Sequence, residues 1–309
     1  MNGATPAGNP FDTPAVRQEF PFSSAVDVWP GVRRITAPNP GFMTGPGTNT
    51  YLVGTQQVLV IDTASDDPAH LEAIKRAAGG AVTAVLVTHA HPDHASGALE
   101  LARDCGVPVY GSGIPLAGVS TPGFAPDQVL ADGDVLMTDA GPVRALRTPG
   151  HAADHICYLL EKQGLLFAGD HLMEGTTVVI APPDGDMAAY LASLRRLQNE
   201  PVERIAPGHG RLMHGAHATL QQVIDHRLAR EAGILSALAG SDGRTIPDLV
   251  AELYAQVPEV LHRLAQMSVY AHLIKLAAEG RVVGVAREGL WRLAPSVTSS
   301  DQRRTAKGS

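Results

Sequence analysis

Cysteine is scarce in this chain of 309 residues: Cys105 and Cys157 are the only two, in different apolar contexts and without paired spacing. That spacing offers no disulfide framework, and both read as small buried residues, which fits a reducing compartment. No apolar run approaches the roughly 20 residues that span a bilayer, and the N-terminal stretch has no basic-then-apolar signal pattern. These absences lead to the expectation of a cytoplasmic protein with no membrane partner. A Gly-x-Ser-x-Gly elbow is also missing, so the usual frame for a serine nucleophile is excluded.

What is present is ordinary for a soluble globular protein: 44% hydrophobic and 18% charged residues. The length suits one large domain and a small one. Charge is uneven. From His226 onward 11 Lys and Arg face 8 Asp and Glu, a net of +3, so the residues before it carry −10 of the total −7. An acidic body is what a cation-holding protein needs, and a mildly basic C-terminal part is permissive for a polyanion. Residues 1–20 and 295–309 are small and polar and read as disordered tails.

The densest chemistry lies in Thr88-His89-Ala90-His91-Pro92-Asp93-His94. The apolar run Ala84-Val85-Leu86-Val87 before it reads as a buried strand, and Ala95 to Ala102 after it as a helix. Three imidazoles and a carboxylate at such a junction are the ligands that suit zinc and similar divalent ions. Alternate residues of an extended segment share a face, so His89 and His91 can serve one ion. Asp93 and His94, where the chain turns, can then reach a second.

Further apolar strands end in the same way: one at Thr148-Pro149-Gly150-His151, one at Gly169-Asp170-His171, one at Pro207-Gly208-His209-Gly210. His151 can join His89 and His91, His209 can join Asp93 and His94, and Asp170 can bridge the two ions with both oxygens. Strands are also predicted within 26–38, 49–53, 58–62, 82–87, 107–111, 134–137, 143–146, 156–160, 164–168 and 204–206, with helices over 68–78 and 187–199. Residues 112–131 read as a long loop. After His217 come helices to Ala239, over 245–255 and over 259–279, then a hairpin over 281–293, a winged-helix pattern.

The set His89, His91, Asp93, His94, His151, Asp170, His209 resembles the metallo-β-lactamase superfamily residue by residue. Gly47-Thr48-Asn49-Thr50-Tyr51-Leu52, Thr148-Pro149-Gly150-His151-x-x-Asp154-His155, Gly169-Asp170-His171-Leu172-Met173 and His226-Arg227-x-x-Arg230-Glu231 are similar to the beta-lactamase-like protein 2 group. The resemblance implies an α+β fold, a four-layer αβ/βα sandwich over residues 21–225, followed by a small winged-helix domain over 226–294. It also implies two divalent metal ions, zinc first, with iron or manganese accepted by the same nitrogen and oxygen donors. The implied activity is hydrolysis by a metal-bridging hydroxide. Lowering the pKa of water from about 15.7 to about 7 corresponds to about 12 kcal/mol of differential stabilisation.

Three functions follow: a hydrolase of an ester, thioester, lactone or related small carbonyl compound; an endoribonuclease on single-stranded RNA with the winged helix as platform; or a nucleic-acid-binding regulator with a vestigial hydrolase body. Nothing in the sequence specifies an oligomer. Catalytic roles fall to Asp93 and Asp170, and to Asp154 and His155, which could orient a ligand or shuttle a proton. Asp62 is expected to hold the His89 loop by hydrogen bonds. His171, next to Asp170, could act in the outer shell, though a strand neighbour is expected to face away, and His70, His214, His217 and His262 are expected at the surface. Tyr51 reads as core or pocket lining. His226, Arg227, Arg230 and Glu231 read as a tie between domains or a substrate contact. His272, Lys275, Arg281 and Arg287 read as a solvated face with phosphate contact as the alternative.

Overall fold

Alternation of apolar residues decides how the first sheet is used, because neighbours on a strand face opposite ways. The computed structural model describes residues 9–113, 120–284 and 286–295, and the chain divides into two compact units, Met1–Ile224 and Asp225–Ser309. The first opens with a helix, α1 (Pro14–Glu19), capped by Thr13. This corrects the loose tail expected over residues 1–20. Phe20 is buried beneath the Arg34 guanidinium, 4.2 Å away, and Glu19 pairs with Arg211. Residues 1–8, like 296–309 of the other expected tail, lie outside the described residues.

Next come β1 (Ala25–Trp29), β2 (Val32–Thr36), β3 (Asn49–Val53), β4 (Val58–Ile61), α2 (Pro68–Ala78), β5 (Val82–Leu86), α3 (Pro92–Ala95), α4 (Ala98–Cys105), β6 (Val109–Gly111) and β7 (Gln128–Val129). The seven strands lie side by side in chain order. Pairing is antiparallel from β1 to β4 and parallel from β4 to β7, since α2 provides the crossover that parallel neighbours need. The helix expected from Ala95 to Ala102 is broken before α4. A Cβ on Gly97 would lie 2.3 Å from the Ser65 carbonyl oxygen, so the chain passes there only as glycine. Strand β7 lies inside the segment expected to be a loop, of which residues 114–119 are outside the described residues.

The second sheet is built from β8 (Val135–Thr138), β9 (Gly141–Arg147), β10 (Ile156–Leu160), β11 (Leu165–Gly169), α5 (Met187–Leu197), β12 (Arg204–Pro207) and β13 (Met213–His214), in the order β13-β12-β11-β10-β9-β8. Only β11 and β12 pair in parallel, with α5 between them in the chain. Tyr51, Leu59, Ile61 and Leu86 of the first sheet meet Val143, Tyr158, Leu160 and Phe167 of the second. Their alternates Leu52, Val60 and Val85 face Leu71 and Ile74 of α2 and Leu101 of α4. On the second sheet, α5 buries Tyr190, Leu191, Leu194 and Leu197, and its Ser193 and Arg196 donate to the Pro149 and Arg147 carbonyls. The result is the four-layer helix–sheet–sheet–helix sandwich. Asp139, in the turn between β8 and β9, accepts from the Thr55, Gln56 and Gln57 amides and so ties the two sheets at one end.

The second unit takes the later part of α6 (Ala216–Leu238), then α7 (Ile246–Leu253), α8 (His262–Ala278), β14 (Val282–Val283) and β15 (Arg292–Leu293). Thr245 and Asp248 form a capping box for α7. Three helices and a two-stranded ribbon enclose Ile234, Leu249, Val269, Leu273 and Trp291, the winged-helix arrangement. Two expectations for this unit are corrected. His272 is fully buried, and its Nδ1 lies 3.2 Å from Glu231, which also accepts from Lys275 at 2.9 Å. A buried carboxylate needs such partners, so these three groups join helices inside the unit, and neither His272 nor Lys275 is free for phosphate. Arg230 donates to the Leu253 carbonyl in the same unit, while Arg281 and Arg287 are exposed. Among the described residues, no helix is long and apolar enough to cross a membrane.

Candidate metal centre

Asp62, just beyond β4, is the post on which the histidine segment hangs. Its Oδ1 accepts the Thr88 amide at 2.8 Å, and its Oδ2 accepts the Thr88 hydroxyl at 2.9 Å and His94 Nδ1 at 2.7 Å. Asp62 itself holds a left-handed φ of 54°, a conformation that a non-glycine residue adopts at a cost. The expected support for the histidine loop is therefore real, and it acts through Thr88 and His94. The short α3 then swings Asp93 and His94 away from the line of His89 and His91.

The seven candidate ligands fall into two groups. His89, His91 and His151 form one; Asp93, His94, Asp170 and His209 form the other, and within each the donor atoms lie within 4.8 Å of one another. In the first group His91 Nδ1 is 3.0 Å from His89 Nε2 and 3.2 Å from His151 Nε2. In the second, Asp170 Oδ1 is 3.2 Å from both His94 Nε2 and His209 Nε2, and Asp93 Oδ2 is 3.5 Å from His209 Nε2. Asp170 Oδ2 turns the other way, 3.7 Å from His151 Nε2. One carboxylate thus offers one oxygen to each group.

The outer hydrogen bonds decide which nitrogens carry lone pairs inward. His151 Nδ1 donates to the Val179 carbonyl at 2.8 Å, and His91 Nε2 donates to Asp184 at 2.9 Å. Because the Thr88 hydroxyl is already given to Asp62, it accepts from His89 Nδ1 at 3.0 Å. His94 Nδ1 donates to Asp62. All four inward nitrogens are then acceptors facing acceptors, an arrangement that a bound cation relieves. His94 Nε2, Asp170 Oδ1 and both His209 nitrogens are buried without a hydrogen-bond partner, as unclaimed ligand atoms would be. The donor set therefore fits divalent ions held by nitrogen and oxygen.

Electrostatics of the protein groups alone express the same demand. Burial, reinforced by the neighbouring rings, pushes His89 well below the usual histidine range. Burial likewise lowers His151. At His94 and His209 burial also opposes charge, but the surrounding carboxylates together outweigh it, Asp170 with Asp62 and Asp93 at His94 and Asp170 with Asp93 at His209, raising His94 well above its ordinary value and His209 to about 9. Burial would lift Asp93, yet His94 and His209 bring it down to about 2. The backbone must come close for this. A Cβ on Gly208 would lie 2.7 Å from Asp170 Oδ1 and 2.8 Å from the His94 ring.

The remaining candidates sit around this centre. Asp154 Oδ2 accepts the Ala90 amide at 2.9 Å, between His89 and His91, and burial raises its carboxyl to about 6. His155 is fully buried, bonded to Thr148 at 3.0 Å and stacked behind His89 with centroids 5.1 Å apart. His171, expected to face away, is instead buried behind His155, 5.7 Å from it and 4.8 Å from Tyr190. His70, expected at the surface, is fully buried on the inner face of α2 beside Ser23 and Thr50. His214 and His217 are exposed and His262 is half-buried. Tyr51 is core, and its hydroxyl donates to the Pro207 carbonyl at 2.8 Å. Asn49 donates to the Pro207 and Gly210 carbonyls at 3.1 and 2.9 Å, bracketing His209. Neither the Asn49 role nor that of Asp184 is foreseen by sequence reasoning. Asn49 stands in a motif that the resemblance already singles out, whereas Asp184 has no such signal.

Residues 43–209, more than half of the chain, match the Metallo-beta-lactamase superfamily. The chain belongs to the metallo-β-lactamase superfamily. Residues 245–291 of this superfamily member match the Beta-lactamase associated winged helix domain. The chain is 31% identical over 285 residues to an atrochrysone carboxyl ACP thioesterase of Aspergillus chevalieri, covering 88% of this chain and 89% of that protein. It is 32% identical over 266 residues to a beta-lactamase-like protein 2 homolog of Drosophila melanogaster, covering 81% and 89%. A metallo-beta-lactamase family protein from Thermus thermophilus superposes with a TM-score of 0.68 at 25% identity, over 86% of this chain and 99% of that one. A beta-lactamase domain protein from Burkholderia ambifaria shares the fold at a TM-score of 0.72 and 21% identity, over 89% and 94%. This metallo-β-lactamase-fold protein is accordingly a metal-binding hydrolase with a C-terminal winged helix.

Proposed function

We propose that the hydrolase holds two divalent metal ions, zinc in the first instance, and cleaves a thioester or a related small carbonyl compound such as an ester or lactone. The observation that carries the two-ion reading is Asp170, whose oxygens face opposite donor groups at 3.2 and 3.7 Å. His89, His91 and His151 would hold one ion, and Asp93, His94 and His209 the other. Bound ions supply a nucleophile from water at neutral pH and polarise the carbonyl oxygen under attack. The residues of the chain do the positioning. Asp62 fixes His94, Asp154 braces the Ala90 amide between His89 and His91, and His155 backs the His89 ring. A thioester is placed first among carbonyl substrates because a relative matching most of the chain is named a thioesterase.

Cleavage of single-stranded RNA is the second reading, favoured by the winged-helix match. Burial of His272 and pairing of Lys275 with Glu231 and Glu279 in that unit leave fewer cations for a phosphate backbone, which sets it behind. Retention of all seven ligand residues speaks against a vestigial body. A cytoplasmic location is proposed from the unpaired thiols Cys105 and Cys157.

The test is elemental analysis of the purified protein with hydrolysis assays on acyl thioesters, lactones and labelled single-stranded RNA. We expect two ions per chain, matching the two donor groups, and thioester turnover with intact RNA. In Asp170→Ala both metal and turnover should be lost. Unchanged metal content in that variant would refute the two-ion reading, and metal-dependent RNA cleavage would replace the substrate.

A further inference from the structure

We propose that Asp184 is a positioning residue for the His89–His91–His151 group: it fixes the ring of His91 so that Nδ1, not Nε2, is presented to the ion. The inference rests on the two-ion reading above. His91 must choose which nitrogen keeps its proton. Its Nε2 lies 2.9 Å from Asp184 Oδ2, and an ionised carboxylate only accepts. The proton therefore sits on Nε2, and the Nδ1 lone pair turns toward His89 Nε2 and His151 Nε2.

Asp184 cannot follow the ring if the ring moves. It is 7% exposed, and its other oxygen accepts the Ala153 amide at 2.9 Å. That amide belongs to the loop carrying His151. The same segment supplies the Val179 carbonyl, which accepts from His151 Nδ1 at 2.8 Å. Residues 179–184, lying between β11 and α5, thus orient two of the three histidines of one group. The counterpart for His94 is Asp62, at the end of a sheet strand. Different elements hold the two groups, so a change at Asp184 should reach one ion and spare the other.

Protein stripped of metal is titrated with zinc against a chelating indicator for wild type, Asp184→Ala and Asp184→Asn. Nitrogen-15 NMR of the stripped proteins reads the His91 tautomer. In Asp184→Ala one ion should bind about 10–100-fold more weakly, the usual cost of losing an outer partner, with the other unchanged and His91 in mixed tautomers. Asp184→Asn, which has one accepting oxygen for two donors, His91 Nε2–H and the Ala153 amide, should recover only part of that loss. If Asp184→Ala does not fold, Asp184→Ser, too short to reach His91, takes its place. Wild-type affinity for both ions with an unchanged tautomer overturns the proposal. So does equal weakening of both ions, which marks a structural loop only. If wild-type protein takes up no zinc, the two-ion reading falls, while the His91 tautomer in stripped protein still decides the role of Asp184.

Discussion

The two donor groups differ in charge and in what holds them. The first is three imidazoles with no carboxylate of its own, two of them oriented by a loop through Val179 and Asp184. The second contains two carboxylates, and its His94 is fixed by Asp62 beside the central strands β4 and β5. Neutral rings exert little electrostatic pull on a cation, while the carboxylate pair attracts one strongly enough to draw protons onto His94 and His209 when only protein groups are considered. On the two-ion proposal, the comparison assigns selection by geometry to the first group and by charge to the second, with Asp170 common to both.

The largest effect should come from Asp170→Ala, because it alone removes an oxygen from each group. Its loss of turnover should exceed the roughly 10–100-fold typical of outer partners. Next comes Asp62→Ala, which strips three hydrogen bonds from buried groups. Unfolding in urea should show about 3 kcal/mol of destabilisation, and zinc titration should show weakening of the second group before the first. Preferential loss of the histidine-only ion would break the comparison.

The charge difference can be read without any metal. His209 has an ordinary pKa of 6.5 and a folded value of about 9. A raised folded pKa contributes stability that is complete below 6.5 and is lost as pH rises through 9, for about 3 kcal/mol in all. Metal-stripped protein should therefore melt at lower temperature as pH goes from 6.5 to 9, and metal-loaded protein should not, since His209 Nε2 is then a ligand. In the first group, His89 and His151 are pushed below the usual histidine range by burial and add nothing to this slope. A flat profile in stripped protein would place the two groups on the same electrostatic footing.

Legibility in the sequence follows the same division. The seven candidate ligands could be read because they follow the ends of four apolar strands, and strand ends at one edge of two stacked sheets converge. Asp62 could be read as a support for the same reason. Asp184 could not, because it follows Pro182-Pro183 in a segment with no strand periodicity to locate it. Isolated histidines were the least legible. His70 and His272 sit on helices where one imidazole among apolar neighbours carries no spacing signal, and both are fully buried. The need for glycine at 97, between α3 and α4, comes from the Ser65 carbonyl 32 positions earlier, which local propensity cannot see.

Asp154 provides the smallest predicted effect and the sharpest division between two roles. Its Oδ2 accepts the Ala90 amide, and burial with the charge of Asp184 keeps its carboxyl near 6. A proton donor to the leaving group and a brace for the His89–His91 loop would both use such a carboxyl. Asp154→Asn separates them, since the amide oxygen still accepts from Ala90 but no proton can be given. Loss of a general acid costs about 10²–10⁴-fold in kcat, whereas loss of a neutral brace that is replaced in kind costs about 1 kcal/mol at most, or roughly tenfold or less. We expect the smaller figure, with unchanged zinc affinity and an unchanged acid limb in the kcat profile. A hundredfold fall in kcat with both ions in place would move Asp154 from the scaffold of the first group into the reaction itself.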